Sequence, residues 1–353
     1  MMTPDHTDTP IELYTHAYDY VLPDGHIATE PARPADAARL LVYDRAAKTV
    51  THAIFRDLPA FLPAGVHLFL NDTRVIKARL YGHKASDGTQ GGGRIELLYT
   101  QNLDAHRHRV MIRGRVRVGT RLLFDDGLEA RVDALHDDGS RTVGFWHHGK
   151  PIRFEELVSI LDRIGHIPLP PYLRRPDRAE DARDYQTLFA REPGAVAAPT
   201  ASLHFTPELL QTLQERHPTH TLTLHTSAGT FKPVEAERIL DHPMHSESFH
   251  IPEAAATILE SDAPLLAVGT TVTRTIEYYA RTRRRSGTCD LFLHPHNPPQ
   301  RVNHLLTNFH LPKSTLIMLV AAFIGREKTL QLYHEAIQKQ YRFYSYGDAM
   351  LIL

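Results

Sequence analysis

The sequence contains a single cysteine, Cys289, among 353 residues. One cysteine excludes an intrachain disulfide, and it excludes a zinc site built from several thiolates. Such sparing use of cysteine is typical of proteins from a reducing compartment. We therefore expect a cytoplasmic protein.

Long apolar runs are also missing. No run approaches the roughly 18 residues that a membrane-spanning helix needs. The chain starts with Met-Met-Thr-Pro-Asp-His, which holds an acid and none of the apolar core found in a secretion signal. We therefore expect no membrane partner.

The chain has almost no net charge, because 40 Lys and Arg residues face 41 Asp and Glu residues. A polyanion such as RNA would therefore bind a local basic patch rather than the whole surface. Two arginine-rich stretches, 107–117 and 281–285, could form such a patch. If the first is a strand, its alternate arginines share one face that could follow phosphates, although a solvated sheet face has the same pattern. The candidate RNA contacts are Arg113, Arg115, Arg117, Arg283 and Arg284.

The length allows two domains, and the 24 prolines argue against a bundle of long helices. Between residues 68 and 154, short β-like runs alternate with Gly, Asp and Ser turns, which is typical of an antiparallel barrel. Residues 87–93 read as a hairpin tip, because no helix follows their glycines as in a phosphate loop. After Pro151, apolar strands alternate with helices, which indicates a largely parallel sheet. The sequence therefore predicts a discontinuous α/β domain, residues 1–65 and 151–353, interrupted by an antiparallel β-barrel domain, residues 66–150.

Ligands of open α/β sheets bind at the carboxyl ends of strands, and three predicted strand ends are polar. Residues 71–74 could hold a ribose or a phosphate, but an Asx turn with a paired surface arginine gives the same pattern. Residues 269–271 begin a helix whose N-terminus could bind an anion. A capped helix start followed by a surface salt bridge between Arg274 and Glu277 explains the same residues. Residues 308–315 break an apolar segment with Asn, His, Lys, Ser and Thr. A buried Asn and His need hydrogen-bond partners, which a binding site would use, but a proline-bounded loop could also accommodate both.

A histidine-rich stretch at 242–250 suggests a metal site at first sight. Its spacing matches neither the HExxH motif nor a Cys/His finger, so we predict no metal there. A histidine-metal hydrolase stays open as an alternative on this stretch alone.

The stretch 194–205, GAVAAPTASLHF, is too rich in small residues to fill a core well. Pro199 keeps the residue before it extended. We interpret the stretch as a tight connector whose low bulk lets a ligand approach the backbone, with Thr200 and His204 as its polar groups. A helix capped by Thr206 should follow.

The chain contains, in this order, the segments LNDTRVIKARL, GHIPLPPYLRR, APTASLHF, MHSESF, AVGTTVTRTIE, TNFHLPKSTL and YRFYSYGDAML. With them it resembles, from Tyr18 to Leu353, the S-adenosylmethionine:tRNA ribosyltransferase-isomerases of queuosine biosynthesis. The resemblance implies that a ribosyl group moves from S-adenosylmethionine to 7-aminomethyl-7-deazaguanine at the tRNA wobble position. Epoxyqueuosine forms, and adenine and methionine leave. The resemblance also implies an α/β fold with a barrel insert, an anticodon stem-loop as partner, and no cofactor beyond the donor substrate.

That chemistry needs a base beside the sulfonium and an acid for the departing adenine. On the matching positions we expect His204 or His245 as acid or base, with Glu247 orienting one of them. Ser202 stands where the family pattern has glycine, which adds a hydroxyl beside the expected ligand. The residues expected to bind donor or base are Asp72, Thr73, Arg74, Thr200, Thr270, Thr271, Arg274, Asn308, His310, Tyr346 and Asp348.

Two alternatives stay open. A divergent paralogue of the same fold would act on another acceptor or another adenosyl donor. A non-catalytic RNA-binding protein would use the two arginine stretches and would bind tRNA without any dependence on the donor.

Overall fold

The computed structural model describes residues 9–85, 92–227 and 234–353. The chain forms two compact units: Met1–Asp72, Pro199–Leu224 and Gly229–Leu353 make up the first, and Thr73–Ala198 with His225–Ala228 make up the second. The second unit therefore starts later and ends later than the predicted 66–150 insert. Residues 67–71 pair with strands of the first unit, and the helix at 154–164 packs into the apolar cluster of the second.

Within the described ranges the strands, in chain order, are β1 (Arg39–Asp44), β2 (Thr49–Ile54), β3 (His67–Asn71), β4 (Thr73–Val75), β5 (Arg79–Lys84), β6 (Arg94–Asn102), β7 (His108–Arg113), β8 (Arg121–Leu123), β9 (Leu128–Leu135), β10 (Ser140–His147), β11 (Lys150–Pro151), β12 (Glu192–Ala195), β13 (Thr219–Leu224), β14 (Glu247–His250), β15 (Leu265–Val268), β16 (Ser286–Cys289), β17 (His304–Asn308) and β18 (Ala349–Ile352). The helices are α1 (Leu58–Phe61), α2 (Phe154–Ile164), α3 (Asp181–Asp184), α4 (Pro207–Arg216), α5 (Glu253–Leu259), α6 (Thr270–Thr282), α7 (Thr315–Ile324) and α8 (Arg326–Gln338).

The first unit is built on a nine-stranded sheet in the order β16-β14-β13-β3-β15-β17-β18-β1-β2. The pairs β13–β3, β3–β15, β15–β17 and β18–β1 are parallel, and the other pairs are antiparallel. The α/β architecture is confirmed, but the expectation of a largely parallel sheet is wrong, since antiparallel strands flank the parallel centre on both sides. β15 and β18 are buried along their whole length, as expected for strands covered on both faces.

Helix boundaries follow the capping residues. The Oγ1 atom of Thr206 accepts a hydrogen bond from the Leu209 amide at 3.3 Å and Pro207 is the first residue of α4, which confirms the predicted cap. The Oγ atom of Ser314 accepts from the Ile317 amide in the same way at the start of α7. In the described ranges, no helix combines the length and apolar character needed to cross a membrane.

The second unit contains the predicted barrel. Six antiparallel strands follow one another as β10-β7-β6-β5-β8-β9, and pairing between β9 and β10 closes the ring. Inward side chains such as Leu80, Leu97 and Val132 are fully or almost fully buried, and α2 adds Leu157 to the same core. β5 and β6 pair as a hairpin, but residues 87–91 of its predicted tip, 87–93, lie outside the described residues.

A histidine is buried in the barrel core. His108 is fully buried, and its ring centroid lies 5.4 Å from that of Phe145 and 5.7 Å from that of Tyr99. Among the described residues, neither of its ring nitrogens has a hydrogen-bond partner. Burial lowers the pKa of His108 to about 4. The ring is therefore neutral in the folded chain at neutral pH.

His108 should make the protein sensitive to mild acid. Because the folded-state pKa lies below the unfolded value of about 6.5, the unfolded chain binds the proton first as the pH falls, and stability is lost between about pH 6.5 and 4. His108→Leu should reduce the fall in the urea midpoint between pH 7.5 and 5. The control His83→Leu, at an exposed barrel position, should leave it unchanged. An equal fall in wild type and His108→Leu would contradict this account.

Candidate active site

The polar edge of the nine-stranded sheet gathers three of the predicted strand ends. β3, β15 and β17 are parallel and adjacent, so Asn71, Gly269 and Asn308 follow or end them at the same edge. β18 runs antiparallel to β17, so Tyr346 and Asp348, which precede it, come to that edge as well.

The Asn71 side chain holds this edge together. Its Nδ2 atom donates to the Leu224 carbonyl at 3.0 Å and to Thr271 Oγ1 at 3.3 Å, and its Oδ1 atom accepts from the Leu224 amide at 3.0 Å. The neighbouring Asp72 carboxylate accepts from Thr223 Oγ1 at 2.6 Å. Both side chains are buried, and these contacts tie β3 to β13 and to the start of α6.

The next two residues of the same motif belong to the second unit. Thr73 Oγ1 lies 2.7 Å from His225 Nδ1. Arg74 pairs with Asp162, with its Nη1 atom 3.2 Å from Oδ1. For Arg74 the structure shows the paired arginine that the sequence left open as the plainer explanation.

Helix α6 starts at the edge without a side-chain cap. Gly269 has φ of +97°, a conformation that a side chain would strain, and it carries the chain from β15 into the helix. Thr270 and Thr271 form the buried first turn. An uncapped first turn presents backbone N–H groups and the positive end of the helix dipole.

The small-residue connector divides between the two units at Pro199. Thr200–Ser202 form one 3-10 turn, and a Cβ atom added at Gly269 would lie 3.7 Å from the Ala201 Cβ, so this turn contacts the start of α6. His204 is 4% exposed and packs on Phe55, with ring centroids 4.9 Å apart. The small side chains predicted from the sequence thus allow the Thr200–Ser202 turn to lie close to Gly269.

Asn308 connects the connector to the end of β17. Its Nδ2 atom donates to the Tyr344 carbonyl at 3.0 Å and lies 3.4 Å from His204 Nε2. An amide donor on Nε2 favours the tautomer with its proton on Nδ1. Burial, with a smaller effect of the Arg342 charge, lowers the pKa of His204 to about 3. The His204 imidazole is therefore neutral.

Two buried polar atoms beside His204 have no hydrogen-bond partner in the described part of the chain. They are Ser202 Oγ and Asn308 Oδ1, in side chains that are 1% and 2% exposed. Each such atom costs roughly 1–3 kcal/mol, so native proteins keep few of them, and those that remain often contact a ligand or a water molecule. Ser202 was absent from the predicted binding residues, although a hydroxyl in a run of alanines was a signal for it.

Two further predicted residues serve the local structure of the edge. His310 is buried, its Nε2 atom lies 3.0 Å from Thr307 Oγ1, and burial lowers its pKa to about 3. The Asp348 carboxylate accepts from the backbone amides of Arg39 at 2.9 Å and Arg342 at 2.7 Å. Tyr346 is 1% exposed at the same edge.

The predicted cluster of His204, His245 and Glu247 is not assembled as expected. The Glu247 carboxylate accepts from Arg274 Nη1 at 2.6 Å, and His245 is an exposed loop residue whose carbonyl lies 3.5 Å from Arg274 Nη2. β14, which carries Glu247, is four strand steps from β17, or roughly 19 Å at the usual strand spacing of about 4.8 Å. Glu247 is therefore a partner of Arg274 and lies far from His204.

The salt bridge predicted on α6 between Arg274 and Glu277 is also not formed. Arg274 does not pair with Glu277, because Glu277 turns to Arg281 and accepts the backbone amides of Gln300 and Val302 at 2.7 and 2.8 Å. Both carboxylates are buried, so α6 carries two internal charge networks rather than a surface pair.

The arginines of the first basic stretch do not share one strand face. β7 ends at Arg113, and Gly114 with φ of +133° breaks the alternation. Arg115 and Arg117 line a concavity of about 690 Å³ together with Lys84 and Arg121, whereas Arg113 lines a separate cleft.

In the second basic stretch, Arg283 lies 3.7 Å from Glu260, and both Arg283 and Arg284 are exposed after α6. The residues of the 242–250 stretch do not form a metal-ligand group. In the described ranges the group with that geometry is Asp126, His147 and His148, and Arg163 already binds the Asp126 carboxylate at 2.6 Å.

Comparisons with known proteins give a consistent result. A family model described as queuosine biosynthesis protein matches residues 15–352. The S-adenosylmethionine:tRNA ribosyltransferase-isomerase of a Nitratiruptor species is 59% identical over 341 residues, covering 97% of this chain and 99% of that protein. The enzyme of the same name from Aliarcobacter butzleri is also 59% identical over 341 residues, with the same coverage. The crystal structure of S-adenosylmethionine tRNA ribosyltransferase from Thermotoga maritima matches with a TM-score of 0.52 and 32% identity, covering 96% of this chain and 100% of that one.

Ser202 generates a test of the candidate site. Because its Oγ atom is buried without a partner, Ser202→Ala should raise the free energy of unfolding by about 1 kcal/mol. Ser314→Ala is the matched control, since it removes a helix cap and should lower stability by about 1 kcal/mol. Urea denaturation measures both. A loss of stability in Ser202→Ala would show that the hydroxyl is hydrogen-bonded in the free protein.

Proposed function

The chain belongs to the queuosine biosynthesis protein family, and from that premise we propose that it transfers and isomerises the ribosyl group of S-adenosylmethionine onto 7-aminomethyl-7-deazaguanine in tRNA. The product is epoxyqueuosine, and adenine and methionine are released. The observation that carries this proposal is the 59% identity over 97% of the chain, which leaves neither unit without a counterpart in the relative.

The sulfonium of the donor is positively charged, and the side chains of Ser202 and Asn308 beside His204 add no positive charge. The low pKa of His204 keeps its imidazole neutral as well. A protonated histidine would repel the sulfonium, whereas a neutral one does not. We propose that Ser202 Oγ and Asn308 Oδ1 make hydrogen bonds with the adenosyl part of the donor, which would satisfy both atoms.

His204 in its neutral form is our candidate for the base. A pKa of about 3 makes it a weak base, but one that is unprotonated throughout the physiological range. Ser202, His204 and Asn308 are all at most 4% exposed, so little water reaches this cluster. Exclusion of water protects a reactive intermediate and strengthens the hydrogen bonds around it.

The RNA partner is proposed more narrowly as the anticodon stem-loop, because the acceptor base is installed at the wobble position. S-adenosylmethionine would be consumed as a substrate, and we propose that no resident cofactor or metal takes part. Since tRNA is the acceptor, we propose that the reaction takes place in the cytoplasm.

A product assay tests the function and His204 together. Wild type with S-adenosylmethionine and tRNA bearing the aminomethyl base should release adenine and form epoxyqueuosine in the RNA. His204→Asn should lower kcat by roughly 10²- to 10⁴-fold, because proton transfer is lost. In the wild-type enzyme the pKa of His204 is about 3, so protonation of His204 should cause no fall in rate between pH 8 and 6.

The exposed His334, on α8, provides the control: His334→Asn should keep full turnover. Adenine release without an RNA product would favour a paralogue with another acceptor. Donor-independent tRNA binding without turnover would favour a non-catalytic RNA-binding protein. Full turnover of a folded His204→Asn variant would remove His204 from the mechanism.

A further inference from the structure

The outer face of the barrel carries two rows of side chains across β5, β6 and β7. Strand register sets Tyr81 opposite Glu96 and Glu96 opposite Arg113. The adjacent row is Arg79, Leu98 and Met111. Because Leu80 and Leu97 between these rows are buried in the barrel, alternation directs the two rows outward.

These rows form the floor of a cleft of about 420 Å³. Its wall is the segment Leu169, Pro170, Pro171 and Arg174 of the same unit. The two prolines restrict the backbone of this wall, so the cleft is formed before anything binds. A volume of this size lies within the range of small-molecule and nucleotide pockets.

The floor exposes apolar and aromatic surface that the fold does not use. Tyr81 is 51% exposed and Met111 is 36% exposed. Tyr81 contacts the His166 ring edge to face, with centroids 5.1 Å apart, which restrains the phenol ring. A restrained aromatic ring that is half exposed can stack on a nucleobase.

The cleft also has unbalanced positive charge, since four arginines and one glutamate line it. Two of the arginines are neutralised: Arg79 lies 3.1 Å from Glu96, and Arg175 binds both oxygens of Asp181. Arg113 and Arg174 make no ion pair with any described residue. Arg113 and Arg174 therefore give net positive charge to the cleft that also exposes Tyr81.

We propose that this cleft binds a nucleotide of a single-stranded RNA segment, with its base stacked on Tyr81 and its phosphates on Arg113 and Arg174. This inference rests on the proposed function, because that function makes RNA the substrate. Guanidinium groups pair with phosphate oxygens, and proteins commonly hold unpaired nucleotides by combining a basic groove with an exposed aromatic side chain. An acidic peptide would use the arginines but would gain little from the exposed tyrosine ring.

The test compares tRNA binding of the full chain and its variants by fluorescence anisotropy over a series of salt concentrations. Tyr81→Ala should weaken binding by about tenfold, because a stacked base is lost, and Tyr81→Phe should restore it. Arg113→Gln and Arg174→Gln should each weaken binding and reduce the slope of log K against log salt by about 0.7, the value for one phosphate of a single strand. Arg153→Gln, an exposed arginine on the same unit, is the control and should bind like wild type.

Turnover separates a binding role from a structural one. The cleft variants should raise KM for tRNA while kcat and the KM for S-adenosylmethionine stay at wild-type values. Wild-type tRNA affinity and salt slope in all three cleft variants would overturn the proposal. Polyglutamate serves as a probe for an acidic peptide. If the cleft variants lose polyglutamate binding but keep tRNA binding, the proposal is overturned and the cleft binds an acidic peptide instead. If wild type itself makes no RNA product, the proposed function fails, a result distinct from any of these.

Discussion

The polar edge of the sheet depends on the hydrogen bonds of one amide, that of Asn71. The last residue of β3 lies opposite Leu222 of β13, and beyond that pair the Asn71 side chain takes over from the backbone ladder. It bonds to both the amide and the carbonyl of Leu224, so β13 stays aligned for two residues past the paired register. Its further contact with Thr271 sets the first turn of α6 against the same strand. β3, β13 and the start of α6 are thereby fixed relative to one another.

Helix α6 then carries that position into the rest of the first unit. Its first turn contacts the connector, its middle holds Arg274 against Glu247 of β14, and its buried Glu277 binds the backbone of residues 300–302. Buried charges are expensive unless paired and hydrogen-bonded, and here Arg274 and Glu277 each have several partners while Glu247 pairs with Arg274. Such networks tolerate few alternative arrangements, so they favour one orientation of the helix. The charged residues of α6 therefore support the site from a distance, and the uncharged residues of its first turn border it.

The sequence was most informative where the signal was local. Alternation and turns predicted the barrel, and a Thr-Pro pair predicted the start of α4, because each depends on neighbours in the chain. Contacts between residues far apart in the sequence could not be predicted. The tail strand β18 is apolar on both faces, so nothing in its four residues specifies that it lies antiparallel to β17 and parallel to β1. Arg274 has an acid three residues on, and only the fold shows that its partner comes from a strand 27 residues away in sequence.

The contrast between local signals and contacts far apart in the sequence also explains which features of the candidate site could be predicted. Residues at strand ends were predicted as a set, because parallel strands end together, and the structure brings Asn308, His204 and the Thr270–Thr271 turn to one edge. Which of them has an unsatisfied atom follows from packing alone: Asn71 uses its amide in the fold, whereas Asn308 Oδ1 has no hydrogen-bond partner among the described residues. Two asparagines that end neighbouring parts of the same sheet thus have opposite roles. The one with its hydrogen bonds complete builds the edge, and the one with a bond missing is left with capacity to bind a ligand.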